Sequence, residues 1–179
     1  MRPALWLLAL AALAARCGGD GGERLSSDDL PRVPAALRVS SPAFIDGSRL
    51  PQRYTCDGAG EEPPVQAGTV PPSTNELVLI VSDPDAPDGS YVHLTRYGLS
   101  PRGDGSVDHG GRDGRNSAGE IGWTAPCPPE DDAAHRYVWS VYALRDPSGL
   151  QAGAKPAEVA AALREGLLAT GTITARYGR

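Results

Sequence analysis

The feature that most constrains this chain is an uninterrupted apolar run that ends at a proline motif. Residues 77–81 are all leucine, valine or isoleucine. A short run of this kind between turn-forming residues is typical of a strand that is buried on both faces of a sheet. Pro84 follows closely and ends the strand, because proline has no N–H to donate to a neighbouring strand. The sequence therefore predicts a buried strand that opens onto a rigid, polar loop.

Other segments indicate that the chain is mainly β. Its 22 glycines and 17 prolines favour turns over long helices. The segment 136–144 has the clearest strand pattern. We expect a strand over 93–99 to be half-exposed, because it contains Thr95 and Arg96. Further extended segments are predicted at 37–41, 50–56 and 172–177.

One helix is predicted near the C-terminus, over residues 155–169. Pro156 lies in its first turn, where proline is tolerated. The larger apolar residues recur along one stripe, at Val159, Leu163 and Leu167. We expect Gly171 to end this helix before the last strand begins.

The N-terminal residues predict export. Arg2 precedes an apolar run over residues 5–15, which is long enough for a signal peptide and shorter than the roughly 20 residues that span a bilayer. Cys17 and a glycine-rich segment follow, and this order resembles a bacterial lipoprotein signal, whose cysteine is lipidated. Arg16 departs from that pattern, since the preceding residue is normally small. We therefore expect a protein of the cell envelope that is either anchored to the membrane through Cys17 or secreted.

The chain divides into three predicted parts. Residues 1–17 form the signal peptide, residues 18–36 form a flexible tether, and residues 37–179 form one domain that is large enough to bury a core. The formal net charge is −5, and it becomes −7 without the signal peptide, which carries two arginines and no acidic residue. A domain of this charge lacks the basic surface that binds nucleic acid or an anionic membrane.

Two proline-containing motifs predict a small polar pocket. The first motif is residues 82–87 with His93, and the second is residues 125–129 followed by residues 135–137. The prolines restrict the backbone of both motifs, so their polar side chains have little freedom to lose on binding. Each motif borders a predicted strand, and a fold can bring two such stretches together.

The polar residues of these motifs divide into donors and acceptors. His93, His135 and Tyr137 would donate hydrogen bonds to an anion. Asp83 and Asp85 would orient the imidazoles or pair with a cation. This mixture suits an amino-phosphate group, which carries both charges. Because neighbouring carboxylates favour a protonated imidazole, we also expect the pKa values of the histidines to be raised toward neutrality.

Other chemistries have weaker support in the sequence. An aspartate before proline often only caps its own turn. A metal site would use two aspartates and two histidines, which lack the helical spacing of a specific metal motif; they are Asp83, Asp85, His93 and His135. Neither Ser106 nor Ser117 lies in the frame of a serine nucleophile, and the chain has no phosphate-binding or dinucleotide-binding glycine motif. No cofactor is therefore predicted.

Two cysteines remain once Cys17 is assigned to the signal. Cys56 and Cys127 would pair as a disulfide in an oxidising compartment. They would otherwise be two separate buried thiols that pack as small hydrophobic side chains. The residues alone are compatible with both arrangements.

These motifs together resemble the phosphatidylethanolamine-binding protein family, and more closely its bacterial, Raf kinase inhibitor-like branch. The resemblance rests on residues 83–87 with His93, residues 122–129 and residues 135–137. It extends from about residue 40 to the last residue. It implies a mainly β fold in which a large antiparallel sheet packs on a smaller sheet, with a helix near the C-terminus. It also favours a disulfide between the last two cysteines.

The resemblance further implies a pocket for phosphate-like headgroups. By motif position, its ligand-binding residues would be Asp83, Asp85, Pro87, His93, Pro128, Pro129, His135 and Tyr137. We accordingly expect an exported module that binds a small anion or a phospholipid headgroup and is not an enzyme.

Two alternative functions remain open, and the expected partners follow from the same features. The chain would otherwise be an inhibitor of an envelope or extracellular protease or kinase-like protein, or a weak phosphoester hydrolase that uses the histidines and carboxylates as acid and base. Nucleic acid is not an expected partner. A lipidated Cys17 would tether the protein to the membrane, and a homodimer is compatible with these features.

Overall fold

A computed structural model of the chain describes residues 23–25, 29–31, 33, 36–87, 89–101, 105–107 and 110–179. The predicted signal peptide, including Cys17, lies outside the described residues. Within them, no helix combines the length and the apolar character needed to cross a membrane.

The fold consists mainly of antiparallel β-strands. The strands are β1 (Val39–Ser40), β2 (Gln66–Ala67), β3 (Glu76–Asp83), β4 (Tyr91–Leu99), β5 (Arg112–Asp113), β6 (His135–Leu144) and β7 (Leu167–Tyr177). Five of them form the large antiparallel sheet, in the order β5-β4-β3-β6-β7. Strands β1 and β2 form a separate two-stranded antiparallel sheet. One α-helix, α1, spans Pro156–Ala162, and a 3-10 helix spans Gln52–Tyr54. The predicted fold class is confirmed.

Strand β3 is buried on both faces, as the sequence predicted. Leu79 and Val81 contact one apolar cluster, which also contains Ala67 of the small sheet. Val78 and Ile80 point to the opposite face and join a second cluster with residues of α1. This division follows from the two-residue period of a strand. The helix and the small sheet therefore cover opposite faces of the large sheet.

Two sequence-based predictions about local structure are wrong. Strand β4 is not half-exposed, because Thr95 is 0 % and Arg96 is 8 % exposed. Arg96 is compatible with burial since its guanidinium donates to Asp113 and Glu62 over 2.6 and 2.7 Å. The segment 50–56 is not a strand: it contains the 3-10 helix, which ends at Tyr54.

The predicted helix over residues 155–169 is too long. Helix α1 ends at Ala162, and β7 already begins at Leu167. Gly166 lies between them with a φ of 74°, a left-handed conformation that favours glycine, and its carbonyl accepts a hydrogen bond from the N–H of Arg145. Pairing with β6 thus replaces helical structure from residue 167 onward. Gly171 lies inside β7, where a Cβ atom would meet the carbonyl oxygen of Leu37 at 2.1 Å.

Part of the predicted tether is packed against the domain. Leu25 is only 4 % exposed and belongs to the second apolar cluster. The carbonyl of Glu23 accepts a hydrogen bond from the hydroxyl of Ser117 over 2.9 Å. Residues 23–25 therefore belong to the folded domain rather than to a free linker.

Candidate functional site

The two proline motifs meet at a cavity of about 280 Å³. Seven of the eight predicted ligand residues line it, and Asp85 does not. The lining consists of Arg24, Asp83, Ala86, Pro87, Tyr91, His93, Thr124, Ala125, Cys127, Pro128, Pro129, His135 and Tyr137. Polar side chains from three adjacent strands thus converge on one small space, with alanine and proline in its walls.

A larger cavity of about 680 Å³ lies between the N-terminal segment and the sheet. Arg136 is the one charged side chain among its described lining residues, and this arginine is paired with Asp85. The remaining lining residues are apolar or carry only hydroxyl groups. The smaller cavity is therefore the candidate functional site, because its lining contains the histidines, the tyrosines and the buried aspartate.

The order of the strands explains why these side chains meet. Strand β3 lies between β4 and β6, and Asp83 is its last residue. His93 is near the beginning of β4. His135 and Tyr137 are two residues apart in β6, so they point to the same face. All four side chains consequently lie at the same end of the large sheet.

Asp83 and His135 form a buried pair. Nδ1 of His135 lies 2.7 Å from Oδ2 of Asp83, and the two side chains are 7 % and 5 % exposed. A carboxylate can only accept, so Nδ1 of His135 is the donor. The other oxygen of Asp83 accepts the backbone N–H of Asp85 over 2.9 Å. Asp83 therefore orients the imidazole, as the sequence predicted for a carboxylate in this place.

His93 is held by Thr124, the residue just before the second motif. Its Nδ1 lies 2.7 Å from the carbonyl oxygen of Thr124, which accepts its hydrogen. Burial lowers the pKa of His93 to about 4, and this effect outweighs the opposing influence of the Thr124 hydrogen bond and of Asp83. The expectation of a raised pKa is therefore wrong for His93. At neutral pH its Nδ1 is a donor and its Nε2 is an acceptor.

Tyr137 remains a hydrogen-bond donor under all ordinary conditions. Burial raises the pKa of its phenol, with a further contribution from the nearby charge of Asp83. Its ring meets that of His93 edge-on, with 5.3 Å between the centroids. Tyr91 and Trp123 also contact His93, with centroid distances of 4.8 and 6.1 Å. Three aromatic rings thus pack around the imidazole of His93, which is buried.

Asp85 lies outside the pocket. Its carboxylate accepts hydrogen bonds from the backbone N–H, Nε and Nη2 of Arg136, at 2.8, 2.8 and 2.6 Å. The side-chain hydrogen bond from Arg136 lowers the pKa of Asp85 to about 2. Both carboxylate oxygens are therefore engaged at the surface, beside Asp132 and Arg176. This position does not support direct contact with a ligand in the pocket.

A disulfide fixes the part of the pocket that the second proline motif forms. Cys56 and Cys127 are bonded, with 5.3 Å between their Cα atoms. The backbone N–H of Cys56 also donates to the carbonyl of Pro126 over 3.0 Å. Trp123 contributes a further link, since its indole N–H donates to the carbonyl of Gly60 over 2.9 Å. The loop that carries Pro128 and Pro129 is therefore fixed to the loop that contains Cys56.

The sequence analysis missed several lining residues. Arg24 comes from a polar stretch without periodicity, and no sequence signal places it near the motifs. Tyr91 was outside the predicted strand, although it is the first residue of β4. Thr124 contributes its backbone carbonyl, which no side-chain pattern reveals. Among the described residues, no group of three or more His, Cys, Asp and Glu side chains is arranged to hold a metal ion.

The profile of the phosphatidylethanolamine-binding protein family matches residues 40–178. The chain belongs to this family. It is 35% identical over 176 residues to a Mycobacterium tuberculosis protein named "Putative lipoprotein LppC", which covers 88% of this chain and 86% of that protein. It is also 32% identical over 183 residues to the UPF0098 protein PH1269 of Pyrococcus horikoshii, with 97% of this chain and 87% of that protein covered.

Solved structures agree with the fold. The Chlamydia trachomatis protein CT736, described as a "Putative PhosphatidylEthanolamine-Binding Protein (PEBP) Homolog", superimposes with a TM-score of 0.75 at 36% identity. The match covers 80% of this chain and 98% of CT736. YbcL of E. coli, described as a new member of the mammalian PEBP family, superimposes with a TM-score of 0.70 at 26% identity and covers 81% of this chain and 99% of its own.

Proposed function

We propose that this protein is an exported module that binds a small phosphate-bearing anion, either free or as the headgroup of a phospholipid. The observation that carries the proposal is the convergence of His93, His135 and Tyr137 on one cavity of about 280 Å³. Ligand sites commonly combine apolar walls with a few oriented polar groups. This cavity is slightly smaller than the roughly 300–1,000 Å³ of sites for drug-sized ligands, which favours a headgroup over a larger molecule.

The protonation states favour a ligand that both accepts and donates. The hydroxyl of Tyr137 is a donor, and a phosphate oxygen is a suitable acceptor for it. Nε2 of His93 is an acceptor at neutral pH, which favours a ligand that presents a hydrogen to it. A singly protonated phosphate or an ammonium group supplies that hydrogen. Phosphoethanolamine contains both groups and is the probe we would use first.

Calorimetry of the full-length protein in detergent with phosphoethanolamine tests the proposal. Tyr137→Phe removes one hydroxyl and should weaken binding by roughly threefold to tenfold, the range for one hydrogen bond. His135→Ala should weaken it by about tenfold or more. Tyr54→Phe is the matched control, since Tyr54 is buried outside the pocket, and it should leave the affinity unchanged. No measurable binding by the unaltered protein, or equal binding by all four proteins, would overturn the proposal.

We further propose that the pocket binds without catalysis. Ser117, one of the two serines considered from the sequence, instead joins β4 to the N-terminal segment, through the N–H of Val92 and the carbonyl of Glu23. Incubation with phosphoethanolamine and with a chromogenic phosphate ester should release no inorganic phosphate. Release that disappears in His135→Ala would establish the hydrolase alternative.

A further inference from the structure

The N-terminal segment before β1 is attached to the rim of the pocket. Leu25 is buried in the apolar cluster that contains Ile80 of β3. The carbonyl of Glu23 accepts from Ser117, whose hydroxyl oxygen in turn accepts the backbone N–H of Val92 in β4. Two anchors therefore lie on either side of Arg24. These two contacts fix the position of Arg24, which is therefore not part of a free linker.

Arg24 extends from this segment into the lining of the cavity. The carbon at the centre of its guanidinium lies 5.3 Å from the centroid of the Tyr91 ring. Nη1 donates to the carbonyl of Gly89 over 3.3 Å, and this is its one hydrogen bond to the described residues. A guanidinium has five N–H groups, so most of its donors remain available. Tyr91 thus positions the guanidinium in the lining of the cavity, and the Tyr91 ring is itself next to the ring of His93.

The charges of the lining residues give Arg24 a particular role. It is the one arginine or lysine among the described residues that line the cavity, and Asp83 is the one carboxylate. His93 is neutral at neutral pH because it is buried. His135 already donates to Asp83. An entering phosphate therefore meets a permanent positive charge in this lining only at Arg24.

We propose that Arg24 is the anion-recognition residue of the pocket, placed over Tyr91 so that its guanidinium pairs with the phosphate oxygens of the ligand. The inference rests on the proposed function. Arginine suits this task, since its planar guanidinium can donate two parallel hydrogen bonds to one phosphate group.

The position of Arg24 in the chain also limits where the pocket can act. Arg24 is seven residues after Cys17. A fully extended chain covers at most about 3.3–3.6 Å per residue, so the two residues are separated by no more than about 25 Å. If Cys17 is lipidated, Arg24 stays within about that distance of the membrane surface. A phospholipid headgroup and a soluble phosphate ester share the chemistry that Arg24 recognises, and both are therefore tested.

The test uses the full-length protein in detergent and three variants. Arg24→Gln removes the charge and should weaken binding of phosphoethanolamine by about tenfold, the lower end for a charge-assisted hydrogen bond. Arg24→Lys keeps the positive charge but lacks the two parallel N–H donors of the guanidinium, so it should recover part of that loss in affinity. Arg49→Gln is the matched control, because Arg49 is also exposed and stacked on a tyrosine, Tyr177, but lies outside the pocket. The control should bind like the unaltered protein.

Salt dependence separates recognition from a merely structural role. Binding by the unaltered protein should weaken as sodium chloride is raised, and Arg24→Gln should lose most of that dependence. The thermal unfolding midpoints of the two Arg24 variants should match that of Arg49→Gln. Repeating the titration with phosphatidylethanolamine dissolved in the same detergent identifies the source of the phosphate: loss with both ligands indicates a shared phosphate contact, and loss with the lipid alone indicates the lipid headgroup.

Two results would overturn the inference, and they differ from each other. If Arg24→Gln binds both ligands as tightly as Arg49→Gln while Tyr137→Phe binds more weakly, the pocket binds phosphate without Arg24. If the unaltered protein binds neither ligand, the proposed function fails together with this inference.

Discussion

Asp83 and His135 join the end of β3 to the beginning of β6 through a 2.7 Å hydrogen bond between Oδ2 and Nδ1. The two residues are 52 positions apart in the sequence, and both side chains are buried. The second oxygen of Asp83 also holds the backbone N–H of Asp85. One carboxylate thus connects two strands and the first proline loop, and the pocket is built around it.

Asp83→Asn should destabilise the protein. Asparagine offers one acceptor oxygen in place of two, so either His135 or the N–H of Asp85 loses its acceptor. We expect the free energy of unfolding, measured by urea denaturation at pH 7, to fall by about 1–3 kcal/mol. Asp85→Asn is the control. Its carboxylate pairs with Arg136 at the surface, so the loss should stay below about 1 kcal/mol. Equal losses in the two variants would contradict the assignment of Asp83 as the central support.

Removing the disulfide should lower stability and loosen the pocket together. Cys56 and Cys127 are 71 residues apart, and the chain-entropy model gives about 4 kcal/mol for a loop of that length. The double variant Cys56→Ser/Cys127→Ser should lose stability of this order in urea denaturation. It should also bind phosphoethanolamine more weakly, since Cys127 lines the cavity. Non-reducing peptide mapping of protein from the cell envelope checks the bond itself, and two free thiols would contradict it.

The features that the sequence predicted well depend on local signals. An apolar run identifies β3, and the proline after Asp83 marks its end. The alternating pattern over residues 136–144 identifies most of β6 and places Tyr137 near its beginning, next to the second motif. The proline motifs then identify the walls of the pocket. These inferences needed no knowledge of tertiary packing.

The features that the sequence predicted poorly depend on contacts with residues that are far away in the chain. Arg96 is buried only because Glu62 and Asp113 accept its hydrogen bonds. Leu167 and the residues after it are in β7 because β6 pairs with them, which overrides the helical pattern at Leu167. Arg24 reaches the pocket through two contacts that no periodicity encodes. In each case the deciding energy comes from residues far away in the chain.

Lipidation of Cys17, one of the two outcomes left open by the sequence, can be tested directly. Cys17 follows an apolar run of signal-peptide length, as in a bacterial lipoprotein signal. Cells grown with a labelled fatty acid should incorporate the label into this protein, and Cys17→Ser should abolish incorporation. Arg16→Ala is a useful companion, because it restores the small residue that lipoprotein signals normally have before the cysteine, and it should increase labelling. Cleavage of the signal elsewhere without label would contradict lipidation.

His93 should make stability depend on pH in an acidic window. Its pKa is about 4 in the folded protein, because burial disfavours the charged imidazole, and about 6.5 in an unfolded chain. Between these values the unfolded state binds a proton that the folded state does not. Stability therefore rises with pH across this window and falls as the pH drops from 6.5 to 4.

The His93 contribution can be isolated by substitution. The difference of about 2.5 pKa units corresponds to about 3 kcal/mol lost by pH 4. His93→Gln cannot titrate, so the fall in unfolding free energy between pH 6.5 and 4 should be smaller by about that amount, and the slope against pH correspondingly shallower. Urea denaturation at half-unit pH steps measures the slope, with Arg49→Gln as a control that should keep it. If His93→Gln retained the full slope, other groups would carry the acid sensitivity, and His93 would not be held neutral by burial.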